Sequence, residues 1–75
     1  MRFINELHEG DRLNGIYLCK QKQAATTKNG KPYENVILQD KTGMLDGKIW
    51  DPNSLGIDDF DALDYIEVVG DVTTF

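Results

Sequence analysis

The sequence predicts a small all-β fold, a sheet curled around one apolar core, with a single short helix. Three observations carry that expectation. Apolar and polar residues alternate over four stretches of strand length, the pattern of strands with one buried face. Turn signals stand before the first, at Gly10-Asp11, and between later ones, at Asn29-Gly30 and Lys41-Thr42-Gly43. Before the fourth stretch the apolar spacing changes from two residues to three, at Ile57, Phe60 and Leu63, which is helical spacing.

Residues 3–11, FINELHEGD, form a lead-in, with Ile4 and Leu7 one helical turn apart and Gly10-Asp11 turning the chain. Arg12 to about Ala25 is long for one strand, with Leu13, Ile16 and Leu18 apolar and Lys20, Gln21, Lys22 and Gln23 polar. Gly15 within it is the expected bulge or sharp bend, because a glycine weakens a strand but tolerates a kink. Thr26 to Pro32 is a polar loop around Asn29-Gly30, a strong hairpin signal. Tyr33 to Asp40 alternates, with Val36 and Leu38 on one face and Ile37 as the apolar exception on the other. After the Lys41-Thr42-Gly43 turn, Met44 to Trp50 is the third strand, with Leu45, Gly47 and Ile49 sharing a face. Gly47 would let another chain segment approach closely. Asp51-Pro52-Asn53-Ser54 ends that strand and opens the helical segment, whose Asp58 and Asp59 suit a first turn electrostatically. Tyr65 to Val72 is the fourth strand, with Ile66, Val68 and Val72 on one side and Gly70 as a bend.

Composition narrows the function classes. The chain has 75 residues, enough for one domain (1–75) near the lower size limit for a core without staples. Cys19 is the only cysteine and His8 the only histidine. A lone histidine removes most metal sites and every His-based catalytic constellation, so neither an enzyme by itself nor a cofactor is expected. With no intrachain disulfide, no apolar run of membrane length and no signal-peptide pattern, a cytoplasmic protein without a membrane partner is expected. The net charge is -5, but it is segregated. Lys20 to Lys48 holds six lysines against Glu34, Asp40 and Asp46, whereas Asp51 to the end holds seven acids and no base. Phosphate contacts need Lys and Arg, so the middle of the chain is the place for them.

Three meandering strands, a helix and a fourth strand match most of an OB fold, a five-stranded, partly open Greek-key barrel. A fifth strand is expected beyond Phe75, which makes the chain a piece of a longer polypeptide with open strand edges that recruit another chain. The segments EGDRLNGIYLCKQKQ, KNGKPYENVILQDKTGMLDGKIWD and ALDYIEVVGDV resemble the N-terminal OB domain of YhaM-type 3′–5′ exoribonucleases of Gram-positive bacteria. The shorter pattern K-x-G-K-x-Y, then L-x-D-x-T-G and a strand ending in an aromatic, is similar to anticodon-binding-type OB domains more widely. The resemblance implies a module that binds single-stranded RNA or DNA beside a metal-dependent HD-type catalytic domain, which would follow it in the full-length protein.

OB domains hold single strands across the second and third strands, stacking bases on aromatics while basic groups follow phosphates. Period-two geometry turns Val36 and Leu38 inward and Asn35, Ile37 and Gln39 outward; on the third strand it turns Met44, Asp46, Lys48 and Trp50 outward. The expected contacts are Tyr33 and Trp50 as stacking rings, Asn35 and Gln39 as amides, and Lys48, Lys20, Lys22, Lys28 and Lys31 as cations. Each keeps a plainer alternative: Trp50 as a rim residue under the helix, Tyr33 packed on its loop, the lysines as solvated charges. Asp40 is expected to cap its turn. A protein-interaction or homo-oligomerising module is the competing function, favoured by the acidic composition and by Ile37 and Met44 on the outer face.

Overall fold

The computed structural model describes residues 3–50 and 60–73. Its strands are β1 (Arg12–Thr26), β2 (Pro32–Asp40), β3 (Gly43–Trp50) and β4 (Tyr65–Asp71). They form one antiparallel sheet in the order β3-β2-β1-β4. The sheet is a curled half-barrel that fits a truncated OB-like barrel, nearly all-β among the described residues. Ile4–Glu6 is a single 3-10 turn.

β1 is long because it serves two neighbours. Its first half, Arg12 to Leu18, pairs with β4, and its second half, Leu18 to Thr26, pairs with β2. Between the halves the register shifts at Cys19/Gln21, leaving Lys20 as the extra residue of a β-bulge. The sequence placed this kink at Gly15. The ladder instead runs through Gly15↔Val68 without a shift, and through the expected bend at Gly70, which pairs with Leu13. The reason lies opposite the bulge. Cys19, still in register with Leu38 of β2, accepts a hydrogen bond on its other edge from the Leu63 N–H (2.6 Å) and donates its own N–H to the Asp64 carbonyl (2.8 Å). The turn at 61–64 thus docks on the kink.

The core consists of Ile4, Leu13, Tyr17, Cys19, Val36 and Leu38, all buried. Leu7, Leu45, Ile49, Phe60, Ile66, Val68 and Val72 pack against it. The inward alternation expected for β2, β3 and β4 is therefore observed. Gly47 has the close approach expected of it: a Cβ there would stand 3.3 Å from the Val36 Cγ2. The β1–β2 loop closes with Gly30 at φ +79, in the left-handed region where glycine carries no Cβ penalty.

The expected helix, with Ile57, Asp58 and Asp59, lies mostly at 51–59, outside the described residues. Its last member departs from the stripe. Leu63 is 72% exposed in a turn at φ +75, whereas Phe60 does pack on the core.

Asp40 ties the lead-in to the sheet. One carboxylate oxygen accepts the Thr42 N–H (2.7 Å) and the Thr42 hydroxyl (2.6 Å); the other accepts the Ile4 N–H (2.7 Å). Thr42 Oγ1 in turn accepts the Asn5 N–H (3.1 Å). Burial pushes the Asp40 carboxyl up, but hydrogen bonds from the Thr42 hydroxyl and the Ile4, Thr42 and Gly43 N–H groups together hold it below the ordinary carboxylate range. Asp40 is a structural clamp as well as a turn cap.

Candidate nucleic-acid interface

The outer faces of β2 and β3 carry the candidate site residues. Tyr33 and Trp50 are directly opposed across the ladder, as are Asn35 and Lys48 one pleat further on. The two rings lie 5.2 Å apart, centroid to centroid, tilted by 41°. Trp50 remains 59% exposed, so the pair offers an open aromatic surface at the end of the sheet beside the β1–β2 loop. The Lys48 ammonium donates to Asn35 Oδ1 at 2.6 Å and sits 5.6 Å from the Tyr33 ring centroid. An amide, a cation and two rings thus converge on one patch, as the alternation of the two strands requires.

The bulge changes the composition of the rest of this face. Before it, odd-numbered residues of β1 point inward (Leu13, Tyr17, Cys19); after it, even-numbered residues do. One inserted residue reverses the alternation of everything that follows. Gln21 and Gln23 therefore join the outer face, pairing with Ile37 and Asn35. They line a shallow groove of about 500 Å³ together with Asn35, Ile37, Met44 and Asp46. Gln21, Gln23 and Asp46 are not among the contacts expected from the sequence. The run KQKQ is polar on both faces, and only the pairing partners of β1 reveal which pair of side chains faces out.

Lys22 is separated from the cluster by the same reversal. It opposes Val36 on the inner side, at the barrel rim. Its ammonium donates to the Phe60 carbonyl (2.6 Å), lies 4.3 Å from the Phe60 ring centroid and stands 3.3 Å from Glu34 Oε2. The Glu34 contact is an ion pair without hydrogen-bond alignment. Lys22 thus fastens the segment at residue 60 to β1 and β2.

Lys20, in the bulge, is exposed and reaches over the outer face to Met44, its ammonium 3.5 Å from the Met44 sulfur. Gln39 pairs with Met44 and Leu18 on the outer face. Lys28 and Lys31 are exposed on or beside the β1–β2 loop, next to the strand ends that carry Tyr33 and Trp50. The structure therefore groups Tyr33, Asn35, Lys48 and Trp50, flanks them with Lys20 and the two loop lysines, and turns Lys22 away.

Among the described residues no group of three or more His, Cys, Asp or Glu could hold a metal ion. No helix among them is long and apolar enough to cross a membrane. The Cys19 thiol is fully buried, and burial pushes its pKa up, away from the reactive thiolate.

No protein-family model matches the chain, and no solved structure matches it. Curated relatives do. The chain is 35% identical over 69 residues to the 3′–5′ exoribonuclease YhaM of Oceanobacillus iheyensis and 33% identical over 67 residues to that of Bacillus velezensis. It is 29% identical over 66 residues to that of Listeria monocytogenes. Each match covers 88% of this chain but 21% of the relative, so the chain spans about a fifth of the length of the relatives it matches.

Proposed function

We propose that this chain, the counterpart of about a fifth of a YhaM-type 3′–5′ exoribonuclease, is the N-terminal single-strand-binding module of such an enzyme. It would hold single-stranded RNA or DNA and deliver it to a separate, metal-dependent HD-type catalytic domain. The observation that carries this reading is the convergence of Tyr33, Trp50, Lys48 and Asn35 on one exposed face. Base–aromatic stacking is sequence-tolerant and cations follow the backbone, so this combination suits strands of varied sequence better than one defined sequence.

Trp50 is the only tryptophan, which makes its fluorescence a direct probe. Titration with a single-stranded oligonucleotide of about ten nucleotides, within the site size of one OB fold, should quench it with an affinity that falls steeply with salt. Absence of quenching at low salt, or binding indifferent to salt, would count against the reading.

A second reading, a module for protein contacts or self-association, is favoured by a different face. Ile16, Tyr65 and Val69 are exposed on the outer side of β1 and β4, at 54%, 76% and 55%. Light scattering coupled to size exclusion tests it, with a monomer at all concentrations as the adverse result.

A further inference from the structure

The outer groove beside the aromatic pair has an acid at its centre, which a phosphate-following surface alone does not explain. Along the outer face of β3 the order is Met44, Asp46, Lys48, Trp50. Successive outward residues stand roughly 6–7 Å apart, twice the rise of a strand. Lys20 covers the Met44 end and Lys48 the other, so a carboxylate lies between two cations in a groove otherwise made of amides and the apolar Ile37 and Met44. A phosphate placed over Asp46 would meet a like charge. Phosphates therefore belong at the lysine flanks, and what enters between them is the part of a nucleotide that is uncharged, flat and edged with hydrogen-bonding groups.

We propose that this groove holds one base of the bound strand and favours bases with an exocyclic amino group over uracil, with Asp46 as the discriminating residue. This rests on the single-strand-binding reading and names its substrate preference. Ile37, directly opposite Asp46 in the ladder, supplies the apolar floor for a base. An ionised carboxylate only accepts hydrogen bonds. Cytosine N4 and adenine N6 donate to it, as carboxylates do with cytosine N4 in duplex readout. Uracil has one N–H donor on this edge, flanked by carbonyl oxygens on both sides, so a carboxylate accepting from it is held close to an acceptor. Cytosine N4 and adenine N6 each carry an N–H that points away from the ring-nitrogen acceptor. Gln21 and Gln23, which can donate or accept, line the same groove and accommodate whichever acceptors remain.

The test uses Trp50 fluorescence and oligomers of cytidine, adenosine and uridine of about ten nucleotides at neutral pH. The unsubstituted chain should bind the cytidine and adenosine oligomers about tenfold more tightly than the uridine oligomer, within the range of discrimination that one good base contact supplies. Asp46→Asn, whose amide can both donate and accept, should bring the cytidine and uridine affinities together, mainly by strengthening uridine binding. Asp46→Ser should do the same without an amide. Equal affinities for the unsubstituted chain, or a cytidine-to-uridine ratio unmoved by both substitutions, overturns the proposal and leaves single-strand binding standing. Failure to bind any of the three oligomers overturns single-strand binding itself, and this preference with it.

Discussion

The outer side of the sheet is two surfaces divided at Lys20. On the β2–β3 side, the outward positions are Tyr33, Asn35, Ile37 and Gln39 opposite Trp50, Lys48, Asp46 and Met44. On the β4 side they are Tyr65, Glu67, Val69 and Asp71, against Leu18, Ile16, Asn14 and Arg12 of β1. Both sides obey the same alternation, and both expose aromatic area. They differ in what surrounds it. Tyr33 and Trp50 touch each other and lie beside Lys48, whereas Tyr65 and Val69 share their face with the acids Glu67 and Asp71, and the Arg12 guanidinium there is already held by Asp71 at 2.9 Å. A ring next to a cation suits a polyanion; a ring next to acids does not. Aromatic exposure by itself therefore says little about which face binds.

The largest effect should strike both sides at once. Tyr17 is almost fully buried at the point where β1 passes from one partner to the other. Tyr17→Ala should cost roughly 3–5 kcal/mol, measured by urea unfolding, and in a chain this small that removes both surfaces together. If both faces survived, the two halves would not share one core.

Binding should then separate the sides. Trp50→Ala should weaken oligonucleotide binding by about 1–3 kcal/mol, read by fluorescence anisotropy of a labelled strand, with little change in melting temperature. Tyr65→Ala, at the more exposed ring, should leave that affinity unchanged. Equal losses from the two substitutions would erase the distinction between the faces.

The outward Lys48 and the inward Lys22 sharpen the comparison further. Lys48→Gln should reduce the slope of log affinity against log salt by about one. Lys22→Gln should leave the slope alone but cost about 1–3 kcal/mol of stability by leaving the half-buried Glu34 carboxylate without its cation. The smallest effect is expected at Asp40, in the β2–β3 turn. Its pKa is depressed in the folded state, so its contribution is complete above its unfolded value near 4 and is lost as pH falls through the lower folded value. Thermal melts from neutral pH down into the acid range should show this loss in the unsubstituted chain and less of it in Asp40→Asn.

Much of this was legible in the residues. The spacing of Val36 and Leu38, and of Leu45, Gly47 and Ile49, gave the inner faces of β2 and β3, because a side-chain period of two is a property of the strand itself. The same parity put Tyr33, Asn35, Lys48 and Trp50 on one surface before any partner was known. Turn chemistry at Asn29-Gly30 and Lys41-Thr42-Gly43 is equally local, and those turns stand where their residues put them. The kink in β1 was misplaced for a physical reason. Gly15 satisfies a local criterion for a bend, whereas the bulge at Lys20 stands beside Cys19, whose hydrogen bonds go to Leu63 and Asp64, more than forty positions away in the sequence.

What the sequence by itself determined is the class of fold, the inward faces of β2, β3 and β4, and the aromatic and lysine pair that tops the outer face. What only the tertiary structure decided is the phase of β1 beyond residue 19. Register is set between strands, by hydrogen bonds to whatever lies alongside, and a single extra residue moves every later side chain to the opposite face. That one step turned Lys22 inward to Glu34 and Phe60, brought Gln21 and Gln23 out beside Asp46, and so made a groove where the sequence showed only a polar run.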